Sequence, residues 1–153
     1  KTAVLFAAAT RLGAQLTGAD ASACAAMAEY GLQLGMAFQV ADDVLDYASD
    51  AATLGKNLGD DLAEGKATPP LIHAIAHAPA DVAARLRQIV EAGEREAFGE
   101  VLAAIQATGG LEHARRAAEA FAAAAERALD ALPASPQREA LRGLARYAVS
   151  RGH

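Results

Sequence analysis

Apolar residues recur at helical spacing along almost the whole chain, and short segments rich in Gly, Pro or Asp interrupt them. The pattern predicts helices over residues 2–17, about 22–49, 69–79, 81–98, 101–107, 111–132 and 137–150, with turn chemistry over 50–59. There is no repeat of fixed period and no low-complexity linker. We therefore expect an all-α helical bundle, with residues 1–153 forming a single all-helical unit.

Composition and charge exclude some classes of protein but do not identify a function. The chain has 153 residues and a net charge of −5, and this acidic balance argues against a nucleic-acid partner, which would require a basic patch or stripe. No apolar run reaches the length of a membrane span. Cys24 is the single cysteine, so no intrachain disulfide is possible and a reducing cytoplasm is the expected compartment.

An acidic stripe on the second predicted helix is the most informative feature. With about 100° of rotation per residue, Gln39, Asp42, Asp43 and Asp46 lie within one sector of that helix. The rest of the helix is apolar, which predicts a buried helix whose stripe faces a cavity. A solvated acidic face is the alternative interpretation.

Like charges four residues apart repel one another, and burial increases the cost unless a cation is present. Mg²⁺ fits this chemistry, because it binds one or two carboxylates, keeps water ligands and bridges to phosphate oxygens. The stripe therefore predicts a Mg²⁺ site that includes Asp42 and Asp46.

A glycine-rich segment with two lysines follows the stripe. Lys56 and Lys66 lie ten residues apart, and glycines between them allow backbone N–H groups to approach an anion. Lysine is a compact charge suited to phosphate oxygens. By itself this segment is better explained by ordinary turn chemistry, and it does not match a Walker P-loop.

Together the two segments resemble the second aspartate-rich region of trans-polyprenyl diphosphate synthases, in their long-chain octaprenyl and decaprenyl branch. The residues that carry the resemblance are Phe38-Gln39-x-x-Asp42-Asp43-x-x-Asp46, Leu54-Gly55-Lys56 and Gly59-Asp60-Asp61-Leu62-x-Glu64-Gly65-Lys66-x-Thr68. The opening Lys1-Thr2 pair and the last helix also match that family. The resemblance implies the C-terminal part of an isoprenoid synthase fold.

The same resemblance implies roles for individual residues. Asp42 and Asp46, supported by Asp43, would serve the Mg²⁺ ions that hold an allylic diphosphate. The diphosphate itself would be neutralised by Lys1, Lys56 and Lys66.

Three further positions follow from the resemblance. Thr2 and Gln39 would face the developing allylic cation, and Phe38 would lie beside the site for isopentenyl diphosphate. The implied reaction condenses isopentenyl diphosphate with an allylic diphosphate to give a longer trans-polyprenyl diphosphate. The full-length protein is expected to form a homodimer.

The chain departs from the family in one respect, because it contains only one Asp-Asp-x-x-Asp motif where full-length members have two. It resembles only the C-terminal half, and we expect this half alone to be inactive. A non-catalytic helical subunit that partners a catalytic chain is the alternative function, and a helical interaction module is a third.

Two other groups of residues have a structural interpretation. His73 and His77 lie four apart and have no evident third ligand, so we expect a packed or surface pair rather than a zinc site. Asp60 and Asp61 are expected at a helix start, where negative charge is favourable.

Overall fold

The computed structural model describes residues 2–48 and 59–150, and within these ranges the regular structure is helical with no strand. The prediction of an all-α fold is confirmed. No helix in the described part of the chain is long and apolar enough to cross a membrane. The helices are α1 (Thr2–Leu16), α2 (Ala21–Ala48), α3 (Asp60–Ala63), α4 (Pro69–His77), α5 (Ala80–Ala92), α6 (Phe98–Thr108), α7 (Gly110–Ala128) and α8 (Pro136–Ser150), with 3₁₀ turns at Arg95–Ala97 and Leu129–Ala131.

Side-chain oxygens cap the starts of two helices, α2 and α8. The Ala23 N–H donates to Asp20 Oδ1 at 2.8 Å at the start of α2, and the Arg138 N–H donates to Ser135 Oγ at 3.1 Å at the start of α8. Thr68 occupies the N-cap position of α4 but makes no side-chain cap. Its hydroxyl instead lies 3.0 Å from the Tyr47 hydroxyl.

The segment predicted as one helix over 81–98 is two helices, so that prediction is wrong. Gly93 has a φ of 63° and ends α5. Its N–H donates to the Val90 carbonyl and the Glu94 N–H donates to the Ile89 carbonyl, which is a Schellman motif. Phe98 therefore begins α6 instead of ending α5.

The described residues divide into two compact units. One comprises residues 2–41 and 116–150, and the other comprises residues 42–48 and 59–115. The core of the first unit consists of Tyr30, Leu34, Ala125, Leu129, Ala145 and Ala148. The core of the second consists of Tyr47, Leu62, Leu71, Ala74, Leu86, Ile89, Val101 and Ile105. The expectation of a single unit over 1–153 stays a prediction.

In the first unit, α1 packs closely on α2 at two glycines. A Cβ atom at Gly31 would lie 2.5 Å from the Phe6 carbonyl oxygen, and one at Gly35 would lie 2.6 Å from Ala3 Cα. The Thr10 hydroxyl donates to the Met27 carbonyl at 2.6 Å. The backbones thus approach closely because the second helix has no side chain at these positions.

Candidate functional site

Lys66 connects α2 with the segment after α3 through two carboxylates. Its Nζ lies 2.7 Å from Asp43 Oδ1 and 2.9 Å from Asp61 Oδ2. The Asp43 side chain is 5% exposed, whereas that of Lys66 is 39% exposed. A buried carboxylate is therefore neutralised by an ammonium group that remains open to solvent on one side. The ammonium has three donors, and the two carboxylates account for two of them.

A tight turn at the end of α3 brings Lys66 to this position. Gly65 has a φ of 69°, a conformation that favours glycine. Its N–H donates to the Leu62 carbonyl at 3.0 Å, and the Lys66 N–H donates to the Asp61 carbonyl at 2.9 Å. These two bonds form a Schellman motif, which turns the chain back at Lys66 toward the start of the same helix.

The protonation state of Lys66 follows from its partners. Partial burial by itself would lower the pKa of Lys66, but the hydrogen bonds to Asp43 and Asp61 outweigh it and raise the pKa above its ordinary value. The side chain is therefore a fixed positive charge at any physiological pH.

Asp42 and Asp46 lie one helical turn apart on α2 and both are half-buried. The Oδ2 atom of Asp46 is itself buried. Two carboxylates on one side of a helix are the ligand type that a hard divalent cation takes, with water and substrate oxygens completing its shell. Among the residues that the structure describes, no three His, Cys, Asp or Glu side chains are close enough to form a complete protein-only site. Asp42 and Asp46 therefore supply carboxylate oxygens of the kind that a hard divalent cation takes.

Tyr47 is a buried polar side chain of α2, close in sequence to the acidic stripe, that the sequence analysis did not single out. Burial raises its pKa to about 12, and the charges of Asp46, Asp61 and Asp43 add to the shift, while the hydrogen bond with Thr68 opposes it. The ring of Tyr47 is buried in the core of the second unit. The signal for its position is its spacing, since it follows Asp43 by one helical turn.

Asp60 and Asp61 begin α3, as predicted, and each has a basic partner. Asp60 Oδ1 lies 2.8 Å from Arg95 Nη2, and Asp61 pairs with Lys66. The expectation of a structural role at a helix start agrees with these contacts. The pairing of Asp61 with Lys66, however, brings this helix start into the site itself.

Thr2 and Gln39, which the resemblance places facing the allylic cation, contact each other in the first unit. The Thr2 hydroxyl donates to Gln39 Oε1 at 3.2 Å, between α1 and α2. Nearby in sequence, Phe38 packs on Phe6 with ring centroids 5.9 Å apart. Thr2 and Gln39 are thus adjacent, although 37 positions separate them along the chain.

Lys1 and Lys56, which the sequence predicts as diphosphate ligands, lie outside the described residues. The turn predicted over 50–59 also lies outside them except for Gly59, which has a φ of 78°. His73 and His77 form the packed pair that was expected, and His113 joins them. The His73 ring stacks on those of His77 and His113 at centroid distances of 4.0 and 4.3 Å.

Comparison with known proteins places this arrangement in a family. The polyprenyl synthetase family model matches residues 1–108. Octaprenyl diphosphate synthase of Escherichia coli (strain K12) is 47% identical over 152 residues, which is 99% of this chain and 47% of that protein. The enzyme of the same name from Haemophilus influenzae is 44% identical over 154 residues, again with 47% of its length covered. The chain spans about half the length of the curated relatives it matches.

Solved structures agree with the sequence relatives. A decaprenyl diphosphate synthase from Rhodobacter capsulatus superposes with a TM-score of 0.90 at 40% identity, over 100% of this chain and 48% of that one. A polyprenyl synthase from Caulobacter crescentus CB15, complexed with calcium and isoprenyl diphosphate, gives a TM-score of 0.87 at 44% identity, over 97% and 46% of the two chains. The chain therefore belongs to the polyprenyl synthetase family, in its long-chain branch.

Proposed function

We propose that this chain is the C-terminal half of a long-chain trans-polyprenyl diphosphate synthase and that it supplies one side of the clamp for an allylic diphosphate. The complete enzyme condenses that substrate with isopentenyl diphosphate. The observation that carries the proposal is the contact of Lys66 with Asp43, which joins the acidic stripe of α2 to the glycine-rich segment. The two motifs that suggested the function in sequence thereby meet in space.

In this proposal, Asp42 and Asp46 would hold Mg²⁺, which would supply positive charge for the diphosphate. When bound, Mg²⁺ would neutralise the negative charge that grows on the leaving diphosphate. Asp43 has a supporting role, because its carboxylate is buried against Lys66 and orients that ammonium group. A buried counter-ion of this kind fixes the position of the lysine more firmly than a solvated one.

Lys66 stabilises the diphosphate with its third donor in this mechanism. Since charge accumulates on the leaving group as the allylic C–O bond breaks, a fixed cation at that point stabilises the transition state more than the ground state. Lys1 and Lys56 are proposed as further cations for the same diphosphate, on the strength of the family resemblance.

The electron-rich oxygens of Thr2 and Gln39 are proposed to face the allylic cation. The diphosphate departs with the electron pair of the C–O bond, the double bond of isopentenyl diphosphate attacks the resulting carbocation, and loss of a proton restores a double bond. The Thr2 hydroxyl donates to Gln39 Oε1, which orients both oxygens as a pair. Phe38 is proposed to lie beside the isopentenyl site.

We also propose that the full-length enzyme is a cytoplasmic homodimer. The buried free thiol of Cys24 is compatible with a reducing compartment, and the homodimer is supported by the family resemblance. The alternative function, a non-catalytic helical subunit, has no need for two half-buried carboxylates, Asp42 and Asp46, on the helix whose buried Asp43 pairs with Lys66. If substitution of Asp42 and Asp46 weakens the binding of pyrophosphate, the result supports the synthase function over the non-catalytic subunit.

Titration calorimetry of the chain with inorganic pyrophosphate, with and without Mg²⁺, tests the site. We expect weak binding that requires Mg²⁺ and becomes at least about tenfold weaker in an Asp42→Asn/Asp46→Asn variant, because both proposed metal ligands are lost. Asp81→Asn is the matched control, since Asp81 is an exposed carboxylate on α5. Binding that is indifferent to Mg²⁺, or that Asp81→Asn weakens as much as the double variant does, would contradict the proposal.

A further inference from the structure

A buried hydrogen bond joins two hydroxyls of the second unit, those of Tyr47 and Thr68. The two oxygens are 3.0 Å apart, Tyr47 is 4% exposed and Thr68 is fully buried. The other residues of the core to which Tyr47 belongs are Leu, Ile, Val and Ala. A Phe and a Val would fill the same space without the cost of removing two hydroxyls from water. Packing alone therefore does not explain why both positions are polar.

Thr68 makes this contact in place of a helix cap. It occupies the N-cap of α4 with a φ of −82° and a ψ of 157°, yet its side chain makes no cap hydrogen bond. Pro69 and Pro70 follow it and have no N–H, so two of the donors that a helix start normally presents are missing. The hydroxyl of Thr68 is therefore available to the phenol of Tyr47.

This contact is a second link between the two segments that the ion pair of Lys66 joins. Asp43, the partner of Lys66, lies one turn before Tyr47 on α2, about 6 Å along the helix axis. On the other segment, Thr68 follows Lys66 by two residues, which span at most about 7 Å of chain. The two links therefore match in spacing along both segments.

The ring of Tyr47 is itself held in one orientation. It stacks on Phe98 with ring centroids 5.7 Å apart and an interplanar angle of 6°. Phe98 in turn contacts the backbone at Gly59, where a Cβ atom would lie 2.8 Å from Cδ2 of that ring. The hydroxyl of Tyr47 is thus a fixed point of attachment for the segment that carries Lys66.

We propose that Tyr47 and Thr68 are positioning residues, whose hydrogen bond holds the segment of Lys66 against α2 so that its ammonium group meets the diphosphate. The ion pair alone does not fix this position, because lysine has a flexible four-carbon stem and the Lys66 side chain is 39% exposed. A buried hydrogen bond at Thr68 fixes the backbone from which that stem extends. The inference rests on the proposed function, and it adds two residues that act through Lys66.

The exchange of the Lys66 ammonium hydrogens with water reports the position of this side chain in the absence of substrate. NMR of protein labelled with ¹⁵N in its lysines measures the rate, which the hydrogen bonds to Asp43 and Asp61 slow. In a Tyr47→Phe/Thr68→Val variant we expect exchange at least about fivefold faster, because the ion pair with Asp43 forms less often. Titration calorimetry with inorganic pyrophosphate and Mg²⁺ should show binding at least about fivefold weaker in the same variant.

Tyr30→Phe is the matched control for the loss of a buried phenol. The Tyr30 hydroxyl is likewise buried and donates to the Leu141 carbonyl at 2.9 Å, but in the first unit. This variant should lower the urea midpoint of unfolding, while ammonium exchange and pyrophosphate affinity change by less than about twofold. Thr68→Ser keeps a hydroxyl and should also bind pyrophosphate within about twofold of wild type.

Urea unfolding separates positioning from a general loss of stability. Each single variant, Tyr47→Phe or Thr68→Val, leaves one buried hydroxyl without its partner, whereas the double variant removes both. The urea midpoint of the double variant should therefore equal or exceed that of the less stable single variant. If the pair only stabilises the fold, pyrophosphate binding recovers together with the midpoint. If the pair positions Lys66, binding stays weak.

The inference is overturned if Lys66 in the folded double variant exchanges at the wild-type rate, or if Tyr30→Phe accelerates its exchange as much. It is also overturned if the wild type binds pyrophosphate and the folded double variant binds it equally well. Faster exchange in the double variant, when the wild type binds no pyrophosphate, contradicts the proposed function and leaves the positioning of Lys66 by this pair intact. If the double variant does not fold, Tyr47→Phe alone gives the same readouts, since its ring still fills the core.

Discussion

At the scale of single residues, the ion pair between Lys66 and Asp43 determines whether the acidic stripe can be buried. Lys66→Met would leave the carboxylate of Asp43 buried without this partner, which costs about 1–3 kcal/mol. Asp61→Asn is the control, because the Asp61 side chain is 23% exposed against 5% for Asp43, and it should cost less than about 1 kcal/mol. Urea unfolding of the three proteins measures both values, and equal losses in the two variants would contradict this assignment.

Tyr47 gives a prediction about pH. Its pKa is raised from 10.0 to about 12, chiefly by burial, so the folded state favours the protonated phenol. The stabilisation is complete below pH 10 and is lost as the pH rises toward 12. Absorbance at 295 nm of wild type minus Tyr47→Phe should show a tyrosine that titrates near 12. A difference titration centred near 10.0, the ordinary pKa of tyrosine, would contradict the buried environment.

The chemistry of the site could be predicted from the sequence, but its contacts could not. Helical spacing was enough to place Asp42 and Asp46 on one side of α2. The pairing of Asp43 with Lys66 spans 23 positions, and it depends on the turn at Gly65, whose direction no local pattern specifies. The contact of Tyr47 with Thr68 spans 21 positions and is likewise not specified by any local pattern.

At the scale of helices and turns, the two glycines of α2 set how closely α1 approaches. Gly31→Ala would put a methyl group 2.2 Å from Thr10 Oγ1 and 2.5 Å from the Phe6 carbonyl oxygen. Because the backbone has to move, we expect a loss of about 1–3 kcal/mol in the free energy of unfolding.

Gly13→Ala is the matched control for this substitution. Gly13 lies within α1, and a Cβ atom there would meet nothing within 4 Å. Alanine should therefore stabilise the protein by about 0.4–1 kcal/mol, since it restricts the unfolded chain and favours the helix. Thermal unfolding monitored at 222 nm compares the two variants, and a shift of both in the same direction would contradict the close contact.

Most helices were predictable because their signals are local. The starts of α2 and α8, for example, lie at residues with side-chain oxygens, Asp20 and Ser135, which accept backbone N–H groups of the first turn. The exception is the break at Gly93, where the amphipathic pattern continues but the chain turns. A Cβ atom at that glycine would lie 2.8 Å from the Ala63 carbonyl oxygen. The break thus depends on a contact with α3 as well as on the positive φ, and the first of these is a tertiary effect.

At the scale of the whole molecule, the chain contains half of a family fold and one aspartate-rich motif. The length and motif count suggested this half in sequence, and the relatives, which are about twice as long, agree.

The most direct test of the central claim is the rate of prenyl transfer by a chimera. In it, this chain replaces the matching 47% of the Escherichia coli octaprenyl diphosphate synthase, and labelled isopentenyl diphosphate with an allylic primer and Mg²⁺ measures incorporation. We predict product from the chimera, none from this chain alone, and at least a hundredfold loss, roughly 2.7 kcal/mol, in the Asp42→Asn chimera. Incorporation by this chain alone, or an Asp42→Asn chimera as fast as its parent, would contradict the account.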